Sequence, residues 1–93
     1  MIRIQWTSKA LSDLLRLYEF LAKVNKPAAA LVMRSLTTAP DRLKGQPRIG
    51  ERLEEFDPRE VRRMVVGRYE LRYEIQQSTI IVLRLWHTRE SRK

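Results

Sequence analysis

The sequence predicts an α+β fold in the order β-α-α-β-β-β, with a helical hairpin packed on one face of a small mixed or antiparallel sheet. Three observations lead there. Apolar residues recur at helical spacing from Lys9 to Asn25 and again from Ala28 to Thr38. Only Asn25-Lys26-Pro27 separates the two stretches, a link short enough to make an antiparallel hairpin. After Pro58 the period changes to two, and three strand-like segments follow. Residues 1–93 are expected to form one domain, with no repeat, low-complexity tract or linker.

In chain order, Ile2 to Trp6 reads as a first strand, with Ile2, Ile4 and Trp6 on one face and Arg3 and Gln5 on the other. Thr7 or Ser8 offers a side-chain oxygen to the free N–H groups that open a helix. Leu11, Leu14, Leu15, Tyr18, Leu21 and Ala22 form its apolar stripe, which Leu17, Phe20 and Val24 widen. Pro27 suits the first position of the second helix, whose inner face reads Ala29, Val32, Met33 and Leu36. Pro40 ends or kinks that helix, and Asp41 to Lys44 adds one more turn with Leu43 inward.

Gly45 to Asp57 reads as irregular. Val61 to Val66 is a strand, Gly67-Arg68 a tight turn, and Tyr69 to Gln76 a strand with Tyr69, Leu71, Tyr73 and Ile75 on one face. Glu70, Arg72, Glu74 and Gln76 take its other face, expected to be partly open and Arg-rich. Thr79 to Trp86 is apolar on both faces, which places it in the middle of the sheet beside the first strand.

Nineteen basic residues against eleven acidic ones give a net charge of +8, and fourteen of the nineteen are Arg. Arg grips carboxylate and phosphate in two-point fashion, so the expected partners are nucleic acid or an acidic protein surface. The plainer alternative is a soluble cationic surface. The absence of cysteine excludes disulfides, thiolate metal sites and Cys nucleophiles, and it fits a reducing cytoplasm. The longest apolar runs fall well short of the ~20 residues a membrane span needs, and the N-terminal residues alternate like a strand rather than a signal peptide. A cytoplasmic location is therefore expected.

Three segments carry a family resemblance. Trp6-Thr7 with Ala10 and Asp13-Leu14 resembles the start of ParE-type toxins. Arg62 to Ile75 (RRMVVGRYELRYEI) is similar to the paired central strands of the RelE/ParE superfamily, and Trp86-His87-Thr88-Arg89 resembles the His-x-Arg ending of its ParE branch. The likeness spans nearly the whole chain and implies the same β-α-α-β-β-β architecture. It also implies a toxin of a type II toxin–antitoxin system, neutralised by a ParD-like antitoxin that wraps over it as a hetero-oligomer. RelE-like members of the superfamily cut messenger RNA on the ribosome, whereas ParE-like members poison DNA gyrase on its cleaved DNA.

A metal-free ribonuclease needs a base, an acid and cations around the phosphate. Glu54, Glu55 or Glu70 offers a base, His87 an acid, and Arg62, Arg63 and Arg72 a phosphate grip. Three departures from the nuclease pattern favour the gyrase branch. Glu70 stands three positions before Tyr73, where the resemblance implies a phosphate-gripping Arg. Thr88 follows His87 where a catalytic Tyr would stand, and no Lys lies between Lys44 and Lys93.

The first expectation is therefore a gyrase poison with no catalytic residue, cofactor or metal, contacting gyrase or its DNA complex through Arg62, Arg72, His87, Arg89 and Arg92. The antitoxin is expected on Leu17, Phe20 and Val24, the outer flank of the first helix. The alternative is a ribosome-dependent mRNA endonuclease that uses His87 and Arg62, and a third reading is a non-toxic binding module. For His87 the plainer role is a hydrogen-bonded strand-end residue, for the Arg62-Arg63 pair a cross-strand ion pair, and for Tyr69 and Tyr73 core with a polar tip.

Overall fold

The computed structural model describes residues 1–90. Strand β1 (Arg3–Trp6) leads into helices α1 (Ser8–Ala22) and α2 (Lys26–Thr38), followed by a 3-10 segment, Ala39–Lys44. Then come β2 (Glu51–Arg52), a 3-10 turn at Glu54–Phe56, β3 (Glu60–Val66), β4 (Tyr69–Gln76) and β5 (Thr79–His87). The five strands lie in the order β1-β5-β4-β3-β2. β1 runs parallel to β5 with Arg3 opposite Thr79, and the other neighbours are antiparallel, so the sheet is mixed.

The expected order holds with two differences. A two-residue strand, β2, lies inside the stretch that reads as irregular; it is too short to show a period of two. The centre of the sheet is β4, and β5 is the interior strand between β4 and β1.

Both helix starts are capped by side chains. The Thr7 hydroxyl oxygen accepts from the Ala10 N–H at 3.0 Å and its O–H donates to the Leu83 carbonyl, so one residue caps α1 and ties it to β5. Asn25 accepts from the Ala28 N–H at 3.0 Å and opens α2, with Pro27 in its first turn.

The buried side of α1 differs from the expected stripe. Ala10, Asp13 and Leu17 face inward, whereas Leu11 and Leu15 are 53% and 59% exposed. The physical reason is Asp13. A pattern of apolar residues assigns a carboxylate to solvent, yet this one is buried among hydrogen-bond donors, which rotates the helix from its expected seat. Leu36 and Leu43 pack against Leu71, Tyr73, Ile80, Val82 and Leu85 to make the core, all fully buried. Each such aliphatic side chain contributes about 1.5–3 kcal/mol on burial.

The loop before β2 is clasped to this core from its polar end. The Tyr73 hydroxyl donates to the Pro47 carbonyl at 2.8 Å and accepts from the Gly50 N–H at 3.1 Å. Arg62 donates to the Gly50 carbonyl at 2.7 Å. A Cβ on Gly50 would lie 2.6 Å from both the Arg63 carbonyl and the Tyr73 hydroxyl, so only glycine lets the loop come this close.

Replacing Gly50 with Ala is expected to destabilise the fold by about 1–3 kcal/mol, because the displaced partners are backbone and a buried ring rather than a free side-chain end. Denaturant titration measures it, and an unchanged midpoint would mean that the clasp contributes nothing.

Candidate functional site

β1 ends at Trp6, opposite Val82, but β5 continues to His87. Beyond Val82 one edge of β5 has no strand beside it, and an open edge is a liability that must be covered. Helix α1 covers it. Asp13 Oδ2 accepts from the Leu85 N–H at 2.9 Å and from Arg84 Nε at 2.7 Å. Arg84 and Arg16 both donate to its other oxygen at 3.2 Å, and Arg16 also reaches the Leu85 carbonyl. Burial alone would raise the Asp13 pKa, but the hydrogen bonds from Arg84, Leu85 and Arg16 together outweigh it and hold the carboxyl below its ordinary value.

The same strap shapes the end of the sheet. Arg16 pairs with Glu90, whose other oxygen accepts from the His87 N–H at 2.8 Å. The Thr88 N–H donates to the Arg68 carbonyl at 2.9 Å, joining the chain after β5 to the β3–β4 turn. Between α1 and these segments lies a groove of about 590 Å³. Leu17, Phe20, Leu21 and Tyr69 give it an apolar floor, and the charged side chains around it are Arg16, Arg68, Arg89 and Glu90, with His87 beside Tyr69. A second groove, about 330 Å³, lies between α2 and the β3–β4 turn and shares Arg68 and Tyr69 as a common wall. The His87 ring meets Tyr69 edge-on at 5.2 Å, and its Nδ1 accepts from the Arg89 N–H at 3.1 Å. That bond places the proton of the neutral imidazole on Nε2.

The other face of the sheet, expected to be partly open and Arg-rich, carries half-exposed arginines over buried carboxylates that the alternation assigns to solvent. Glu70 and Glu74 are 2% and 5% exposed, buried under arginines. Arg59 pairs with Glu74 at 2.7 Å, while Arg63 bridges Glu51 at 2.7 Å and Glu70 at 3.4 Å. The Arg59 bond outweighs burial and holds the Glu74 carboxyl below its ordinary value. Guanidinium groups and rings then alternate across the face. Arg59 and Arg72 lie over Phe56 at 5.9 and 5.2 Å, and Arg72 and Arg84 lie over Trp86 at 4.7 and 5.0 Å. The face is rich in arginine, but its charge is neutralised from within.

The site residues expected from sequence therefore separate. His87 and Arg89 meet in the larger groove, together with Leu17 and Phe20. Leu17, expected on the outer flank, is only 4% exposed and serves as the groove floor, whereas Phe20 is 70% exposed. Val24 is exposed and lines neither groove. Arg72 lies in the ladder on the opposite face. Arg62 is held by Glu60 at 2.9 Å and by the Gly50 carbonyl, and Arg92 lies outside the described residues.

Arg62 stands opposite Tyr73 and His87 opposite Tyr69. Four residues along and two strands across put them on the order of 16 Å apart. Glu70, one of the candidate bases, faces away from His87. Sequence reasoning missed Arg16, Arg68, Tyr69 and Glu90 as groove residues. The available signal was Asp13, a lone acid on an apolar helix face that needs cations nearby. No group of three metal-ligating side chains exists among the described residues, nor any helix long and apolar enough to cross a membrane.

Residues 4–92 match the family model of the ParE toxin of the type II toxin-antitoxin system, parDE. No curated protein matches the chain. Among solved structures, a chain of the chromosomal ParDE TA system from P. aeruginosa superposes with a TM-score of 0.77 at 20% identity, covering 94% of this chain and 96% of that one. A chain of the archaeal RelE-RelB complex from Pyrococcus horikoshii OT3 superposes with a TM-score of 0.66 at 16% identity, covering 97% and 98%. At these identities the two structures show a shared fold.

Asp13→Asn is expected to cost about 1–3 kcal/mol at neutral pH, because Arg84 and Arg16 lose their charged partner. A carboxyl held low in the folded state stabilises the fold above its unfolded pKa of about 4, and that stabilisation is lost as pH falls through the lower folded value. The wild type should therefore lose stability on acidification below about pH 4 more steeply than the variant. Parallel stability curves in urea at pH 7 and pH 3 would refute the assignment.

Proposed function

We propose that this chain, which belongs to the ParE toxin family of type II toxin–antitoxin systems, acts on DNA gyrase and traps its cleaved-DNA intermediate. In this reading it is held inactive by an antitoxin segment laid in the groove beside α1. The observation that carries it is the meeting of His87 and Arg89 with Leu17, Phe20 and Arg68 around one groove, about 16 Å from Arg62. An acid and a phosphate grip that far apart do not serve one scissile phosphate, and Arg62 is already bonded to Glu60 and the loop before β2. Toxicity then comes from binding rather than bond cleavage by this chain.

An apolar floor with a mainly cationic border suits an acidic amphipathic segment, whose large apolar side chains fill the floor while its carboxylates meet Arg68 and Arg89. An occupant seated there covers His87 and Arg89, so neutralisation follows from occlusion of the same groups that engage the target.

Antitoxin-free protein mixed with DNA gyrase, ATP and supercoiled plasmid is expected to give dose-dependent, gyrase-dependent double-strand breaks after detergent and protease treatment. Arg68→Glu with Arg89→Glu should reduce the breaks at least ~10-fold, equivalent to about 1.4 kcal/mol of binding. No breaks from folded protein that still arrests growth would move the target to the ribosome, and cut transcripts with translating ribosomes would establish that.

Phe20→Asp is expected to weaken antitoxin binding roughly 30-fold, the effect of removing an anchor of about 2 kcal/mol, without changing thermal stability, since the ring is exposed. Calorimetry with the cognate antitoxin tests it, and undiminished affinity would place the antitoxin elsewhere.

A further inference from the structure

The ion pairs on the sheet leave the outward positive charge on the helical hairpin and on the groove border at Arg68 and Arg89. Arg48, Arg52, Arg59, Arg62 and Arg63 all pair with carboxylates. Lys23, Lys26, Arg34 and Arg42 are exposed, and none forms an ion pair among the described residues. From Phe20 to Pro40 the sequence contains no acidic residue.

The cations on α2 share a flank. At about 100° per residue, Lys26, Ala30, Arg34 and Thr37 fall within an arc of roughly 80°. Leu31, Val32, Ser35 and Leu36, which line the smaller groove, occupy a different arc. Lys26 and Arg34 stand two turns apart, about 12 Å along the axis. Ala30 between them leaves room for a backbone to approach.

We propose that this flank of α2 binds the phosphate backbone of duplex DNA without regard to sequence. Three features select that partner. The arc carries charge but no carboxylate, which suits a polyanion. It has no exposed large apolar residue, because Leu31 belongs to the groove side, and a protein partner would lack its anchor there. It has no aromatic ring on which an unpaired base would stack, which disfavours single strands. The groove and the basic flank do not share residues, so a chain whose groove is occupied keeps this second surface free. The inference does not depend on gyrase being the target.

The test is fluorescence anisotropy of a labelled 25-base-pair duplex of arbitrary sequence, titrated with antitoxin-free protein at several salt concentrations between 50 and 200 mM and without gyrase. Binding is expected to weaken steeply with salt. Lys26→Glu with Arg34→Glu should lower affinity at least ~10-fold at the lowest salt and flatten the salt slope by about 2, since each neutralised phosphate adds ~0.9 to that slope. Arg3→Glu with Lys9→Glu changes net charge equally and should stay within about 3-fold of wild type. Circular dichroism checks both folds, and Lys26→Gln with Arg34→Gln repeats the test without introducing acids. Equal loss in the two charge-reversed pairs, no loss in either, or tighter binding to a single strand of the same length would overturn the proposal.

Discussion

One carboxylate organises the working end of this molecule. Strand β5 runs five residues past its parallel neighbour β1, and Asp13 reaches from α1 to the exposed edge, accepting the Leu85 N–H and pairing with Arg84. The contact does three things at once. It satisfies a backbone donor that would otherwise sit unpaired at a sheet edge. It sets the rotation of α1, so that Leu17 turns down and Phe20 turns out. Through Arg16 it also reaches Glu90, which holds the backbone of His87. The groove follows from these constraints, since both of its walls are referenced to the same residue.

Charge in this chain is sorted by surface. The second sheet face pairs Arg59, Arg63 and Arg72 with Glu74 and Glu70 and stacks guanidinium planes on Phe56 and Trp86. Such pairs tie β2, the Glu54–Phe56 turn, β3 and β4 together, and they cancel the charge they contribute. The remaining positive potential therefore rises from the helical hairpin and the groove border. A count of Arg residues is a poor map of where a polyanion docks; a map of which ones lack carboxylates is a better one.

Most of the architecture is legible in the chain. The alternation of Tyr69 to Gln76, the turn at Gly67-Arg68 and the hairpin at Asn25-Lys26-Pro27 all follow from local rules, and the strand and helix order comes from them. What is illegible shares one cause: polar groups satisfied at long range. Asp13 and Arg84 are 71 positions apart, and nothing local says that they meet. The same holds for Glu70 and Glu74, which read as solvent-facing by alternation and are buried by Arg63 and Arg59. The candidate site is half legible. The sequence points to His87, Arg89 and Phe20 for different partners, and only the fold places them around one groove. It points to Arg62 for its charge, and the loop before β2 claims that residue.

The parallel pairing of β1 with β5 also orders events in time. Residues 3–6 have no strand to pair with until residues 79–82 exist, and the groove has no second wall until the chain reaches His87. During synthesis the hairpin emerges early, with Leu17, Phe20 and Leu31 uncovered and the edge at Leu85 not yet made. Contacts of such long sequence separation form late, after the loop-closure entropy has been met. A polypeptide interrupted before β5 therefore has neither the second wall of the groove nor the strand edge that Asp13 covers. The groove and the strap that shapes it form in the same step, when the last strand slides in beside the first.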